Sequence, residues 1–151
     1  MLVEHIEDLR AAVRDVKRTH PFEIVAWVVL PEHIHAVWTL PRDDPDYSMR
    51  WNQIKGGFSR RIPPGERISA SRSSRRERGI WQRRFWEHLI RDDEDLERHV
   101  NYVHYNPVKH GQIRRTADWP YSSFHWFVRR AWLSPQWGSV VDFQGEFGER
   151  G

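Results

Sequence analysis

The chain contains no cysteine, which removes thiolate nucleophiles, disulfides and cysteine-held metal and leaves imidazole, carboxylate, amide and hydroxyl groups to do any chemistry. No apolar run approaches the length of a bilayer span, and a mean hydropathy of -0.80 with 30% charged residues argues against an integral membrane protein. Met1-Leu2-Val3-Glu4-His5 has neither the basic region, the apolar stretch nor the small-residue cleavage site of a secretory leader. The expected location is therefore the cytoplasm. No internal repeat is visible in the 151 residues. A chain of this size is expected to form one domain, over 1–130, followed by a tail at 131–151 that holds Trp132, Trp137, Phe143 and Phe147 without periodicity.

What is present is unevenly spread. The net charge is only +3, yet residues 60 to 84 carry nine arginines against Glu66 and Glu77. Guanidinium forks match phosphate oxygens two at a time, so a nucleic-acid partner is the leading functional reading, beside the plainer one of a basic solvated linker. The stretch Ile62 to Gly79 is rich in Pro, Ser, Arg and Gly and reads as a loop that orders on a polyanion. Trp81 to Ile90 follows as a strand in which Arg83, Arg84, Phe85 and Trp86 interleave charge with rings, a pattern that suits phosphate contact and base stacking. An edge strand whose rings cover a core satisfies it equally.

Leu2, Ile6, Leu9, Val13 and Val16 recur at helical spacing and Thr19-His20-Pro21 stops them, which predicts a helix over 3–18. Phe22 to Leu30 and His33 to Leu40 are rich in β-branched and aromatic residues and are joined tightly by Pro31-Glu32, predicting an antiparallel hairpin. Ser48 is placed to cap a helix carrying Trp51, Ile54 and Phe58, with Arg50 and Lys55 beside them. Within the second strand, residues two apart share a face. His33 and His35 then project together, with Ile34, Ala36, Trp38 and Leu40 turned the other way into a core. Two neutral imidazoles on one face are a pair of metal ligands in waiting, and equally a pair of solvated surface histidines.

Asp92 to Asp95 set carboxylates at a helix start, where they complement the positive end of the dipole and act as caps. The helix expected from Asp93 to Asn106 buries Leu96, Val100 and Val103. At about 100° per residue Tyr102 and Asn106 fall one turn apart on a flank beside that stripe, and Tyr105 falls on the opposite side. Pro107 is expected to end the helix, leaving the Asn106 amide at a terminus and free to turn toward a neighbour. Gly111 closes the segment, and Tyr121 to Arg129 is expected to form a last short helix.

His33-Ile34-His35 after Val-Val-Leu-Pro, Trp81-Gln82-Arg83-Arg84-Phe85-Trp86-Glu87-His88, and Asn101-Tyr102-Val103-His104-Tyr105-Asn106-Pro107-Val108-Lys109-His110-Gly111 together resemble the REP-associated tyrosine transposases, a branch of the HUH single-tyrosine transposases of bacteria. The likeness runs from the first helix to about Arg129. It implies an α+β fold of ferredoxin-like or RRM-like topology, an antiparallel sheet with helices on one face. The family usually opens with a strand ahead of the first helix, and this sequence begins at the helix, so that first strand is expected to be missing. The resemblance further implies a divalent metal, Mg²⁺ or Mn²⁺, on His33, His35 and Asn106, and Tyr102 as nucleophile. Its implied activity is endonuclease and strand transfer on single-stranded DNA with REP-like hairpins, by a protein acting as a monomer, a dimer being the alternative, at the nucleoid. Arg83, Arg84, Phe85 and Lys109 are the candidate DNA contacts. The competing expectation is an inactive, DNA-binding remnant of such an enzyme, and a third is a metal-dependent hydrolase that uses water.

Overall fold

In the computed structural model, which describes residues 2–63 and 89–138, the elements run α1 (Ile6–Thr19), β1 (Glu23–Val29), β2 (Ile34–Thr39), α2 (Tyr47–Arg61), α3 (Asp93–Lys109), a 3₁₀ turn (Thr116–Asp118) and α4 (Phe124–Arg129). The architecture is α+β, with a two-stranded sheet among the described residues. The four-residue link from Leu30 to His33 leaves room only for an antiparallel return, since a parallel one needs a long crossover. The chain gathers into two compact units, the first holding residues 2–23, 31–33 and 39–63 and the second 24–30, 34–38 and 89–138. The loop expected at Ile62 to Gly79 lies almost wholly outside the described residues, as does the strand expected at Trp81 to Ile90.

In the first unit, α1 buries Leu9, Ala12, Val13 and Val16, the stripe its spacing predicts. It begins three residues later than expected, because Leu2 turns in and its N–H donates to the Pro31 carbonyl at 3.1 Å. The α2 helix is capped by Asp46, whose carboxylate accepts from the Met49 N–H at 2.9 Å, and not by Ser48. Its Gly56-Gly57 pair does not interrupt it. A Cβ at Gly57 would stand 3.4 Å from the Ala12 methyl, van der Waals contact, so α1 and α2 pack closely at this point.

Arg50, expected beside the apolar stripe, is fully buried. Its Nε donates to the His20 carbonyl, Nη1 to the Asp44 and Asp46 carbonyls, and Nη2 to the Pro21 carbonyl and the Asp44 carboxylate, each at 3.0 Å. One side chain thus satisfies the carbonyls that follow the end of α1 and fixes the loop before α2. The guanidinium in turn holds the Asp44 carboxyl below the usual carboxylate range.

The second unit is built on a cluster of Ala26, Val28, Leu30 and Val37 from the hairpin with Val100 and Val103 of α3. This reverses the expected face of β2. Val37 is the buried residue of the strand, while Ile34, Ala36 and Trp38 are half-buried. Apolar residues alternate with one another as well as with histidine here, so parity alone could not tell inside from outside; packing on α3 decides it. The free edge of β1 is occupied by the segment before α4: Val29 N–H donates to the Tyr121 carbonyl, Ser123 N–H to the Trp27 carbonyl, and Trp27 N–H to Ser123 Oγ, each at 2.8 Å. Asp92 caps α3 by accepting from the Asp95 N–H at 2.8 Å, the structural role read from the sequence. The expected helix at Tyr121 to Arg129 is shorter, starting at Phe124.

Candidate metal and tyrosine site

His33 stands immediately before β2 and His35 is its second residue, so the tight Pro31-Glu32 connection sets where both imidazoles leave the backbone. Because Val37 is the core-facing residue of β2, His35 shares the face turned to the cluster with α3. The effect is direct contact: the His35 and Tyr102 rings meet edge to face, centroids 5.7 Å apart at 83°. The face that the sequence assigned to solvent or metal is the face that reaches the tyrosine.

The α3 helix does not stop at Asn106. It runs through Pro107 to Lys109, and Asn106, with Pro107 and Val108, is buried. The expected helix end is therefore wrong, for a physical reason. A proline removes one hydrogen bond at a cost of about 3 kcal/mol, and here burial of Tyr105, Pro107 and Val108 offsets it. The Asn106 side chain is 0% exposed, and neither its Oδ1 nor its Nδ2 has a hydrogen-bond partner. A buried amide so left costs roughly 1–3 kcal/mol.

Continuing the helix past Pro107 extends the row Tyr102, Asn106 by one more turn, to His110. The His110 N–H donates to the Asn106 carbonyl at 3.0 Å. Within the second unit, ligating nitrogens of His35 and His110 lie within 4.8 Å of one another. Sequence reading missed His110. The signal that reveals it is the i, i+4, i+8 spacing, which is invisible once the helix is ended at Asn106. Imidazoles gathered in this way are donors suited to a divalent cation.

The neighbouring residues sort themselves by burial. Tyr105 is 7% exposed and packs edge to face on Trp137, centroids 6.5 Å apart, so its hydroxyl-bearing ring belongs to the core. His104 is fully buried against Phe127, ring centroids 4.6 Å apart, with Nε2 paired to Ser123 Oγ at 2.8 Å. Burial above all, with the nearby His125 second, pushes its pKa down to about 4, so it is a neutral ring that ties α3 to α4. Lys109 lies in the last turn of α3, half-buried. Arg83, Arg84 and Phe85 lie outside the described residues.

No helix among the described residues is long and apolar enough to cross a membrane. Residues 2–106 match the family described as Transposase IS200 like. The chain is 45% identical to the REP-associated tyrosine transposase of Escherichia coli K12, over 99% of this chain and 82% of that protein. It is also 45% identical to a protein named Putative REP-associated tyrosine transposase in Haemophilus influenzae, over 95% of this chain and 82% of that one. A solved structure of a REP-associated tyrosine transposase bound to a REP hairpin superposes with a TM-score of 0.76 at 45% identity, covering 99% of this chain and 82% of its own.

Proposed function

Because the chain belongs to the IS200-like transposases, we propose that it cleaves and rejoins single-stranded DNA carrying REP-like hairpins, through a covalent 5′-phosphotyrosine at Tyr102. The observation that carries this reading is the contact between the His35 and Tyr102 rings, which joins the histidine-bearing strand to the tyrosine-bearing helix. Tyr102 Oη attacks phosphorus in line with the departing 3′ oxygen. The bond from phosphorus to Oη forms as the bond to the 3′ oxygen breaks, the phenolic proton passes to solvent, and the leaving oxygen takes up a proton as a 3′-hydroxyl. The phosphotyrosine ester keeps the bond energy needed for rejoining, which hydrolysis by water would discard.

His33, His35 and Asn106 are the residues assigned to hold the cation, Mg²⁺ or Mn²⁺, with His110 the additional donor that the geometry supplies. The chemistry a cation held there would supply is polarisation of the scissile phosphate, since a phenol with a pKa near 10 is a weak nucleophile at neutral pH. Lys109, Arg83 and Arg84 contact phosphates and Phe85 stacks on a base. In this reading the protein works as a monomer at the nucleoid, a dimer being the alternative.

The test is a labelled hairpin oligonucleotide with a single-stranded flank, incubated with the protein and Mg²⁺ or Mn²⁺. Wild type and Tyr105→Phe form an adduct that survives denaturing gel electrophoresis; Tyr102→Phe, and wild type with chelator, form none. An adduct that persists in Tyr102→Phe and disappears in Tyr105→Phe overturns the nucleophile. Cleavage without any adduct makes the protein a water-using nuclease, and hairpin binding unchanged by His33→Ala with no cleavage makes it a binding protein.

A further inference from the structure

The end of α4 is closed in an unusual way. Trp132 N–H donates to the Phe127 carbonyl at 2.8 Å and Ala131 N–H to the Val128 carbonyl at 3.0 Å. These are the two bonds of a Schellman cap, whose turning residue sits in the left-handed region and is normally glycine. Here it is Ala131, at φ 60°, the one non-glycine with positive φ among the described residues. The strained turn delivers Trp132 to the surface, 64% exposed. Its ring is held in place by Phe127, edge to face at 5.3 Å, and by the Arg130 guanidinium 5.5 Å from its centroid, which also donates to the Trp126 carbonyl. A leucine would complete the cap contact with Phe127 equally well. What sets this tryptophan apart is therefore not its exposure alone but the left-handed turn and the guanidinium that fix its orientation.

The surrounding charge says what covers it. From Trp119 to Val141 the sequence has no Asp or Glu, and its charged residues are Arg129 and Arg130, both exposed. A flat ring beside two exposed guanidinium groups is complementary to an unpaired nucleobase and its flanking phosphates. We infer that Trp132, with Arg130 and Arg129, is a stacking platform for an unpaired base of the single-stranded DNA. This rests on the DNA-joining reading above and assigns it a contact away from the tyrosine.

The experiment measures fluorescence anisotropy with two labelled oligonucleotides, a blunt hairpin and the same hairpin with a single-stranded flank. One stacked base is worth about a tenfold to hundredfold change in affinity. Trp132→Ala should lose that much on the flanked hairpin and nothing on the blunt one, Trp132→Phe should retain most of it, and Arg130→Ala should weaken the flanked complex with a shallower salt dependence. To separate stacking from damage to α4, a series of abasic positions is placed in the flank against unaltered protein. One abasic position should weaken wild type as Trp132→Ala does and add nothing to that variant. Equal affinities of wild type and Trp132→Ala for the flanked hairpin, or equal losses on both oligonucleotides, overturn the platform while leaving the DNA-joining reading standing. If wild type binds neither oligonucleotide, both fall together.

Discussion

Arg50 in the first unit and Asn106 in the second are both fully buried polar side chains, and their surroundings treat them oppositely. Arg50 is met by four carbonyls and a carboxylate, so the group that would be hardest to bury is given an acceptor at every nitrogen. Asn106, uncharged and easier to satisfy, is given none. The same contrast extends outward: the second unit also holds His104 Nδ1 without a partner and Ala131 in a left-handed turn. Arg50, its burial cost offset, builds the scaffold; His104, half satisfied by Ser123, still ties α3 to α4; of the three, only Asn106 is left wholly without a partner, which is why we propose that it serves the cation.

Paired substitutions give the largest test of that contrast. Arg50→Ala removes the donor from four backbone carbonyls and leaves a large void where a fully buried side chain stood, so unfolding free energy should fall by about 3–5 kcal/mol in urea titrations. Asn106→Ala removes an amide that gains nothing from folding and leaves a small void; the two effects oppose, and stability should stay within about 1 kcal/mol. Metal-dependent adduct formation should nonetheless be lost in Asn106→Ala. If Asn106→Ala unfolds the protein as severely as Arg50→Ala, the amide is structural and the comparison breaks.

How much of this was legible beforehand follows from the same residues. The helical stripe of α1, the hairpin and the acidic cap of α3 come from side-chain periodicity and capping chemistry, which are properties of the local chain. The burial of Arg50 was not legible, because its partners at His20 and Pro21 are about thirty positions away. The inward face of β2 and the passage of α3 through Pro107 were misread for one cause. Each is a local preference overruled by packing between distant segments, and the second error hid His110 as well.

A smaller effect sharpens the comparison through pH. His104 has its pKa lowered from 6.5 to about 4 in the folded protein, so below 6.5 the unfolded chain binds a proton that the folded one refuses. Stability is then full above 6.5, falls as pH drops toward 4, and levels off below. At 1.36 kcal/mol per pH unit the loss between pH 7 and pH 5 is about 2 kcal/mol. His104→Gln, which keeps a hydrogen-bonding group beside Ser123, should flatten that slope by the same amount. Equal slopes for the two proteins would show that His104 carries no uncompensated cost.

The smallest effect concerns backbone and not side chain. An alanine held left-handed costs about 1 kcal/mol relative to its relaxed state, whereas glycine occupies the same region freely but loses more entropy on folding, by roughly 0.5–1 kcal/mol. Ala131→Gly should therefore stabilise by at most about 0.5 kcal/mol, a rise in Tm of about 1–2 °C for a chain of this length. The Tm change alone would place Ala131 among the strained residues of the second unit. Set beside DNA affinity it says why the strain is kept: a glycine there loosens the arm that holds Trp132, so affinity for a flanked hairpin should not improve while the fold gains. A lower Tm for Ala131→Gly would mean that the turn is already relaxed, and the exposed tryptophan would need another explanation.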